Sequence, residues 1–249
     1  MDIALIPARQ GSLRLPGKNV KLLNGIPLIA FSIHSAINSG LFDEVIVSTD
    51  SAEIAAIAKD WGASVPDLRP AEFSTSTSTD LEWVMHAVKH LVSAPLELID
   101  CITILRPTSP LRTALTIKNA MKAFKSNPWA ESLRAMEITQ VHPGKMWRVN
   151  NDMEASPYLD QSNEPIPSHN RPTQSLEVLW VQNASLEITH LNDLLKSNSI
   201  SGTRVMAYEM PGFEGFDLNT PLDWKLLECL AQELPSIIPN PVRPSRKTD

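Results

Sequence analysis

DIALIPARQGSLRLPGKNVK, residues 2–21, joins an apolar segment to a loop rich in turn residues and cations. The apolar part predicts a β-strand over residues 2–7, and the loop then carries Arg9, Arg14 and Lys18. Backbone N–H groups near glycine turns, combined with positive side chains, bind phosphate oxygens. The stretch therefore predicts a phosphate site beyond the end of a strand, and we interpret it as a nucleoside-triphosphate site.

Strands and helices alternate after this loop. Such alternation is typical of a parallel sheet covered by helices on both faces, and these sheets bind ligands beyond the carboxyl ends of their strands. We therefore expect an α/β fold, with a doubly wound, mostly parallel, Rossmann-like sheet. The pattern predicts strands over residues 2–7, 45–48, 63–65 and 101–105, and helices over residues 27–38, 52–61, 80–92 and 110–124.

The alternation stops between about residues 140 and 190. A polar run and a strand-like stretch over residues 178–188 do not form a strand–helix pair there. We expect a single domain over residues 1–234 that carries an inserted β-rich region between about residues 140 and 190, a common place for a dimer contact or a substrate lid. A strand over 203–208 and a helix capped by Thr220 follow, and residues 235–249 are expected to be an extended or disordered tail.

Composition excludes several classes of protein. The net charge of −6 argues against sequence-independent nucleic-acid binding, which requires a basic surface. The sequence lacks an apolar run long enough to cross a bilayer, and Arg9 interrupts the first apolar stretch, unlike a signal peptide. Cys101 and Cys229 have no partner motif, so we expect both to be reduced and buried in a cytoplasmic protein.

Two further segments carry candidate site residues. Asp217 follows a late strand and is suited to hold Mg²⁺ against phosphates, although a carboxylate that favours the start of the next helix explains it equally well. The loop over residues 105–112, LRPTSPLR, is stiffened by two prolines and follows another strand. It suits recognition of a base, a ribose or a sugar carboxylate, or it is simply a rigid connection.

Five segments occur in an order that resembles the acylneuraminate cytidylyltransferases, the CMP-sialic acid synthetases and their nonulosonic-acid relatives. The resemblance extends over residues 3–224, and the string PTSPLR is its most specific part. The RLPGK stretch also resembles the CMP-Kdo synthetases, which lack PTSPLR. The segments are residues 6–19, 47–50, 68–72, 107–112 and 216–220.

The resemblance implies that the anomeric hydroxyl of a 2-keto sugar acid attacks the α-phosphate of CTP, which releases pyrophosphate and forms a CMP-sugar. It implies that residues 1–234 are a nucleotidyltransferase domain of a homodimer, in which the inserted region reaches the partner and serves dimerisation and sugar binding. It also implies catalytic roles for Arg9, Lys18 and Asp217, and Mg²⁺ bound by Asp217 and Asn219. Arg69 would lie near the cytosine, Asp80 near the ribose or base, and Lys145 near the sugar acid. The substrate-binding residues implied are Ala8, Arg14, Asn19, Arg69, Asp80, Arg106, Thr108, Ser109, Arg112 and Lys145.

The chain departs from the family pattern at several positions. Leu13 and Asn219 stand where the family carries a lysine and a second carboxylate, Arg106 stands for a glutamine, and Ala184 and Glu187 stand for glycine and tyrosine. The sugar pocket is therefore the least transferable part. Two alternatives follow: a nucleotidyltransferase for another base or a Kdo-type acid, and a nucleotide- or sugar-binding relative without catalysis.

Overall fold

A computed structural model describes residues 1–11, 14–160 and 165–244, so Leu13 lies outside the described residues. The helices are α1 (Leu28–Ser39), α2 (Ala52–Asp60), α3 (Asp80–His90), α4 (Ala114–Lys125), α5 (Leu191–Ser197) and α6 (Pro221–Glu233). The strands are β1 (Asp2–Pro7), β2 (Leu22–Leu23), β3 (Ile26–Pro27), β4 (Glu44–Ser48), β5 (Cys101–Ile104), β6 (Ser132–Ile138), β7 (Trp147–Val149), β8 (Ala155–Pro157), β9 (Trp180–His190) and β10 (Val205–Glu209).

A six-stranded sheet in the order β10-β6-β9-β5-β1-β4 forms the centre of the fold. β1 pairs in parallel with both β4 and β5, whereas β5 pairs antiparallel with β9. Ile3, Leu5 and their neighbours in β1 are fully buried, because helices cover both faces of a parallel sheet. The predicted α/β fold with a mainly parallel sheet is confirmed, and the carboxyl ends of β1, β4 and β5 lie at one edge.

Three element predictions differ from the structure. The helix predicted from residue 110 begins at Ala114, because Thr113 caps it by accepting a hydrogen bond from the backbone of Thr116. Residues 63–65 contribute a single parallel bridge, Ile46 to Ser64. The strand-like stretch assigned to the insertion belongs to β9, which pairs with β5 in the central sheet.

The chain divides into two compact units. The first comprises Met1–Ala135 and Asn183–Asp249, and the second is Met136–Gln182. The second unit contains the antiparallel hairpin of β7 and β8 and several 3₁₀ turns. Its expected part in dimerisation and sugar binding stays a prediction.

Of the tail expected to be extended or disordered, residues 235–244 are described and residues 245–249 lie outside the described residues. A 3₁₀ turn, Pro235–Ile237, follows α6, and Ile237 and Ile238 pack against a buried cluster in the first unit. Cys101 is buried as expected, but Cys229 is exposed on α6. Among the described residues, none of the helices has both the length and the apolar character that crossing a membrane requires.

Candidate active site

The phosphate loop begins where β1 ends. Gly17 adopts a left-handed conformation with φ of +68°, which favours glycine, and a 3₁₀ turn, Lys18–Val20, follows it. The Asn19 side chain donates to the backbone oxygen of Arg9 over 3.1 Å and is 7% exposed. Asn19 therefore holds the two ends of the loop together, a more structural position than the predicted ligand contact.

Lys18 is a half-buried cation of this loop. Its ammonium donates to the backbone oxygen of Leu218 over 3.3 Å. Burial lowers the pKa of Lys18, the negative charge of Asp217 opposes that shift, and the positive charges of Arg14 and Arg9 add to it. The three loop cations and Asp217 therefore share one electrostatic environment. A polyanion bound there would relieve the repulsion among the cations.

Asp217, Asn219 and Arg14 form a chain of hydrogen bonds. The Asn219 amide nitrogen donates to Asp217 Oδ2 over 2.6 Å, and the Asn219 amide oxygen accepts from the Arg14 guanidinium over 2.7 Å. This orientation of the amide is required, because a carboxylate accepts and a guanidinium donates. Asn219 therefore connects a cation to a carboxylate.

The fit of Mg²⁺ to these residues differs between Asp217 and Asn219. Asp217 Oδ1 is buried and has no hydrogen-bond partner among the described residues. A buried carboxylate oxygen of this kind is the hard ligand that Mg²⁺ prefers. The Asn219 oxygen, in contrast, already accepts from Arg14. The arrangement fits Asp217 as a metal ligand, and the predicted contribution of Asn219 would require Arg14 to release its amide.

A cavity of about 260 Å³ separates the phosphate loop from the start of α2. Ser51 caps α2, and the backbone N–H of Gln10 donates to Asp50 Oδ1 over 2.8 Å. Asp50 therefore fixes the loop against the end of β4, a role that sequence reasoning missed. The cavity is lined by Arg9, Gln10, Pro16, Gly17, Lys18, Asn19, Val20, Ser51, Glu53 and Ile54.

Arg69 and Ala8 lie beside the end of β4. Arg69 is 5% exposed. Its side chain donates to the hydroxyl oxygen of Ser48 over 2.9 Å and to the backbone oxygen of the same residue over 2.6 Å. Its guanidinium carbon lies 5.1 Å from the centre of the Trp83 ring. Burial lowers its pKa to about 10, although Asp50 opposes the shift. Ala8 is buried and donates its own backbone N–H to Ser48 over 3.0 Å, so that group is not offered to a ligand. Arg69 is rigidly held at the edge where the resemblance implies the cytosine.

The PTSPLR loop touches the segment that carries Asp217, because Leu218 donates its backbone N–H to the oxygen of Thr108 over 2.8 Å. Ser109 is 1% exposed, and its hydroxyl has no partner among the described residues. Arg112 was expected to reach the ligand, but it is 1% exposed and donates to the oxygens of Ser185 and Ser32. Burial lowers its pKa to about 9. Arg112 therefore holds the loop against β9 and α1 instead.

Four charged side chains form a network beyond β5. Arg106 binds both oxygens of Asp80, over 3.2 and 2.7 Å, and also donates to Glu187 over 2.8 Å. Glu187 accepts from Arg134 over 2.5 Å. Sequence reasoning identified Arg106 and Asp80, noted Glu187 only as a departure from the family pattern, and missed Arg134. A charge in a mostly buried strand was the available signal for both Glu187 and Arg134.

Lys145 lies in the second unit, on the 3₁₀ turn Pro143–Lys145. His142 starts this turn by accepting the backbone N–H of Gly144 over 3.0 Å. The Lys145 ammonium donates to the backbone oxygen of Arg171 over 2.7 Å. Its implied contact with a sugar acid stays a prediction.

Comparison with known proteins gives consistent matches. A model of the cytidylyltransferase family matches residues 3–201. A CMP-N,N'-diacetyllegionaminic acid synthase from Legionella pneumophila is 34% identical over 92% of this chain and 96% of its own length. An N-acylneuraminate cytidylyltransferase from Escherichia coli is 28% identical over 93% of this chain and 52% of its own length. A CMP-2-keto-3-deoxy-manno-octonic acid synthetase solved with CTP shares the fold, with a TM-score of 0.65, 18% identity, and coverage of 94% of this chain and 99% of that one.

Proposed function

Because the chain belongs to the cytidylyltransferase family, we propose that it transfers CMP from CTP to the anomeric hydroxyl of a sialic-acid-like 2-keto sugar acid. Pyrophosphate is the second product. The family match supports this proposal, and one structural observation indicates which residues would bind the triphosphate. The cations Arg9, Arg14 and Lys18 share an electrostatic environment with Asp217, one oxygen of which has no partner in the described part of the chain.

Transfer of a phosphoryl-type group depends chiefly on orientation and charge neutralisation. Residues of these types supply both. In the proposed reaction Lys18 and the two arginines neutralise the triphosphate and hold the α-phosphate for attack. Their charges also stabilise the pyrophosphate as it leaves. Arg69, fixed by Ser48, is proposed to contact the cytosine.

Mg²⁺ is proposed as the cofactor, with Asp217 as its protein ligand. When bound, Mg²⁺ supplies positive charge next to the phosphates. Oδ1 of Asp217 supports this role, because it has no hydrogen-bond partner among the described residues and a buried carboxylate oxygen is costly without a cation. Asn219 is proposed as an additional ligand after Arg14 turns from the amide to the phosphates.

The acid is proposed to be a nonulosonic acid, with N,N'-diacetyllegionaminic acid as the first candidate. This choice follows the Legionella relative, which is matched over almost the full length of both chains. Lys145 is proposed to meet this acid. A cytoplasmic location remains part of the proposal, because CTP is a cytoplasmic metabolite.

A homodimer is proposed through the second unit. This unit exposes many large apolar side chains for its size, which is typical of protein-interaction surfaces. The partner we propose is a second copy of this chain. The most exposed of these side chains are Val141, Val149, Met153, Ile166 and Val178.

The experiment that tests the function is a pyrophosphate-release assay with the purified full chain, CTP and Mg²⁺. N,N'-diacetyllegionaminic, pseudaminic, N-acetylneuraminic and Kdo acids are supplied separately, and the CMP-sugar is identified by mass spectrometry. The proposal expects turnover that requires CTP and one of the nonulosonic acids. A preference for GTP, ATP or UTP, or CTP binding without turnover of any acid, would contradict it.

A further inference from the structure

Glu187 is a buried carboxylate held between two arginines. It lies on β9 and is 5% exposed. One oxygen accepts from Arg106 over 2.8 Å, and the other accepts from Arg134 over 2.5 Å. Arg134 is itself fixed, because its Nε and NH2 donate to the Ser201 hydroxyl over 3.1 and 2.7 Å. Glu187 therefore has one defined orientation and is a rigid support for Arg106.

Arg106 is the member of this network that faces the site. It follows β5, its side chain is 20% exposed, and it also binds both oxygens of Asp80. A guanidinium carries more N–H donors than these contacts engage, and its planar shape fixes their directions. Donors of Arg106 thus remain for a ligand, and their directions depend on the two carboxylates.

The order of the strands in the sheet indicates which of the two substrates the remaining donors of Arg106 bind. The cavity at the phosphate loop and the buried Arg69 both lie toward β4, whereas Arg106 and Glu187 lie toward β5 and β9, across β1. Arg106 is nevertheless close enough to affect Lys18, since its charge contributes to the lowered pKa of that lysine. With the nucleotide on the β4 side, the acceptor sugar has the β5 side to approach the α-phosphate.

We infer that Glu187 is a positioning residue for the sugar acid, which acts through Arg106. This inference rests on the proposed function. Asp80 and Glu187 balance the charges of Arg106 and Arg134, so Arg106 does not act as an additional phosphate ligand. Its remaining donors instead bind oxygen atoms of the acceptor sugar. The network thereby separates recognition of the acid from recognition of the triphosphate.

The variant Glu187→Gln keeps the size of the side chain but removes its charge and one acceptor atom. We expect the KM for N,N'-diacetyllegionaminic acid to rise about tenfold, the effect of a disturbed charged hydrogen bond, while the KM for CTP changes less than about twofold. The matched control is Glu131→Gln. It removes the charge of another carboxylate that accepts hydrogen bonds, in this case from Thr203 and Arg204. The control should leave both KM values unchanged.

A second variant separates positioning from stability, because Glu187→Gln also leaves the half-buried charge of Arg134 without its carboxylate partner. In Glu187→Gln/Arg134→Met the unpaired charge is gone, so the melting temperature should recover while the raised KM for the acid persists. Recovery of KM together with stability would overturn the inference. Arg106→Gln should raise the same KM, and combining it with Glu187→Gln should add little further effect.

The wild type distinguishes this inference from the function on which it rests. Absence of turnover by the wild type with every acid would overturn both. Normal wild-type turnover, together with an unchanged KM for the acid in Glu187→Gln, would overturn the inference alone.

Discussion

Asn219 donates its side-chain N–H to the carboxylate of Asp217, with 2.6 Å between Nδ2 and Oδ2. The same amide accepts from Arg14, so it joins opposite charges at the edge of the site. A neutral amide satisfies both partners at once, whereas a second carboxylate would repel Asp217. The amide therefore keeps one oxygen of Asp217 engaged and leaves Oδ1 without a partner among the described residues.

Asn219→Asp is expected to strengthen metal binding, because it adds an anionic oxygen next to Asp217. The half-saturating Mg²⁺ concentration for turnover should fall by roughly tenfold. Without metal the variant should melt at a lower temperature than the wild type, because the two carboxylates repel each other. Initial rates across a Mg²⁺ titration check the first effect, and an unchanged or increased Mg²⁺ requirement would argue against Asp217 as a ligand.

Lys18→Ala should reduce kcat/KM for CTP by about a hundredfold, the typical cost of losing one group that stabilises transition-state charge. Its free energy of unfolding should change little, because the lost contact is a single long hydrogen bond to Leu218. Lys21→Ala is the matched control, since Lys21 lies over the Trp224 ring rather than in the phosphate cluster. Equal losses in the two variants would remove the special role of Lys18.

The affinity for CTP should depend on pH through Lys18. Burial lowers the pKa of this lysine below its ordinary value of 10.5. The charge of Asp217 raises this pKa, and the charges of the neighbouring arginines lower it. Since the charged ammonium binds phosphate, the KM for CTP should rise as the pH increases through this lowered pKa. Lys18→Arg stays charged in this range. The KM measured between about pH 7 and about 10 should therefore be flatter in Lys18→Arg, and parallel profiles would refute the assignment.

Arg112→Met should destabilise the fold by about 3 kcal/mol, because the buried oxygens of Ser185 and Arg106 lose their donor. Arg243→Ala removes an exposed pair with Asp60 and should cost less than about 1 kcal/mol. Urea unfolding monitored by circular dichroism measures both values. A stable Arg112→Met variant with a raised KM for a substrate would return Arg112 to the ligand-contact role predicted from sequence.

Val149→Lys should convert the proposed dimer to a monomer at micromolar concentration, because a charge replaces an apolar side chain that is 56% exposed on β7. Leu115→Lys, on α4 in the first unit, changes a side chain that is 65% exposed and should leave the dimer intact. Analytical ultracentrifugation measures the masses. A monomeric wild type, or an intact dimer in Val149→Lys, would contradict the proposed interface.

Local signals predicted much of this fold. β1 is a short apolar run that ends at turn residues, and α6 begins with Thr220 and Pro221, so both elements are specified by neighbours in the sequence. The helix that follows PTSPLR was placed four residues early, because the loop is held by contacts from outside. Thr108 accepts a hydrogen bond from the backbone of Leu218, and Arg112 donates to the backbone oxygen of Ser185. Both partners are distant in sequence.

The candidate site was predictable where its chemistry is local. The spacing of the cations near Gly17 by itself predicts an anion-binding site. Glu187 and Arg134 could not be assigned in this way, because Glu187 on β9 pairs with Arg106 after β5, and Arg134 on β6 pairs with Glu187. Arg112 shows the limit of local signals: its charge suggested a ligand contact, whereas the fold buries it to 1% exposure, and its ligand contact stays a prediction.

The central claim is that Arg9, Arg14, Lys18 and Asp217 hold the triphosphate of CTP. A crystal structure of the full chain with CTP and Mg²⁺ tests it most directly. We predict phosphate oxygens about 3 Å from the Lys18 ammonium and a metal ion about 2.1 Å from an Asp217 oxygen. A triphosphate bound elsewhere, with Lys18 and Asp217 contacting neither phosphate nor metal, would contradict the claim.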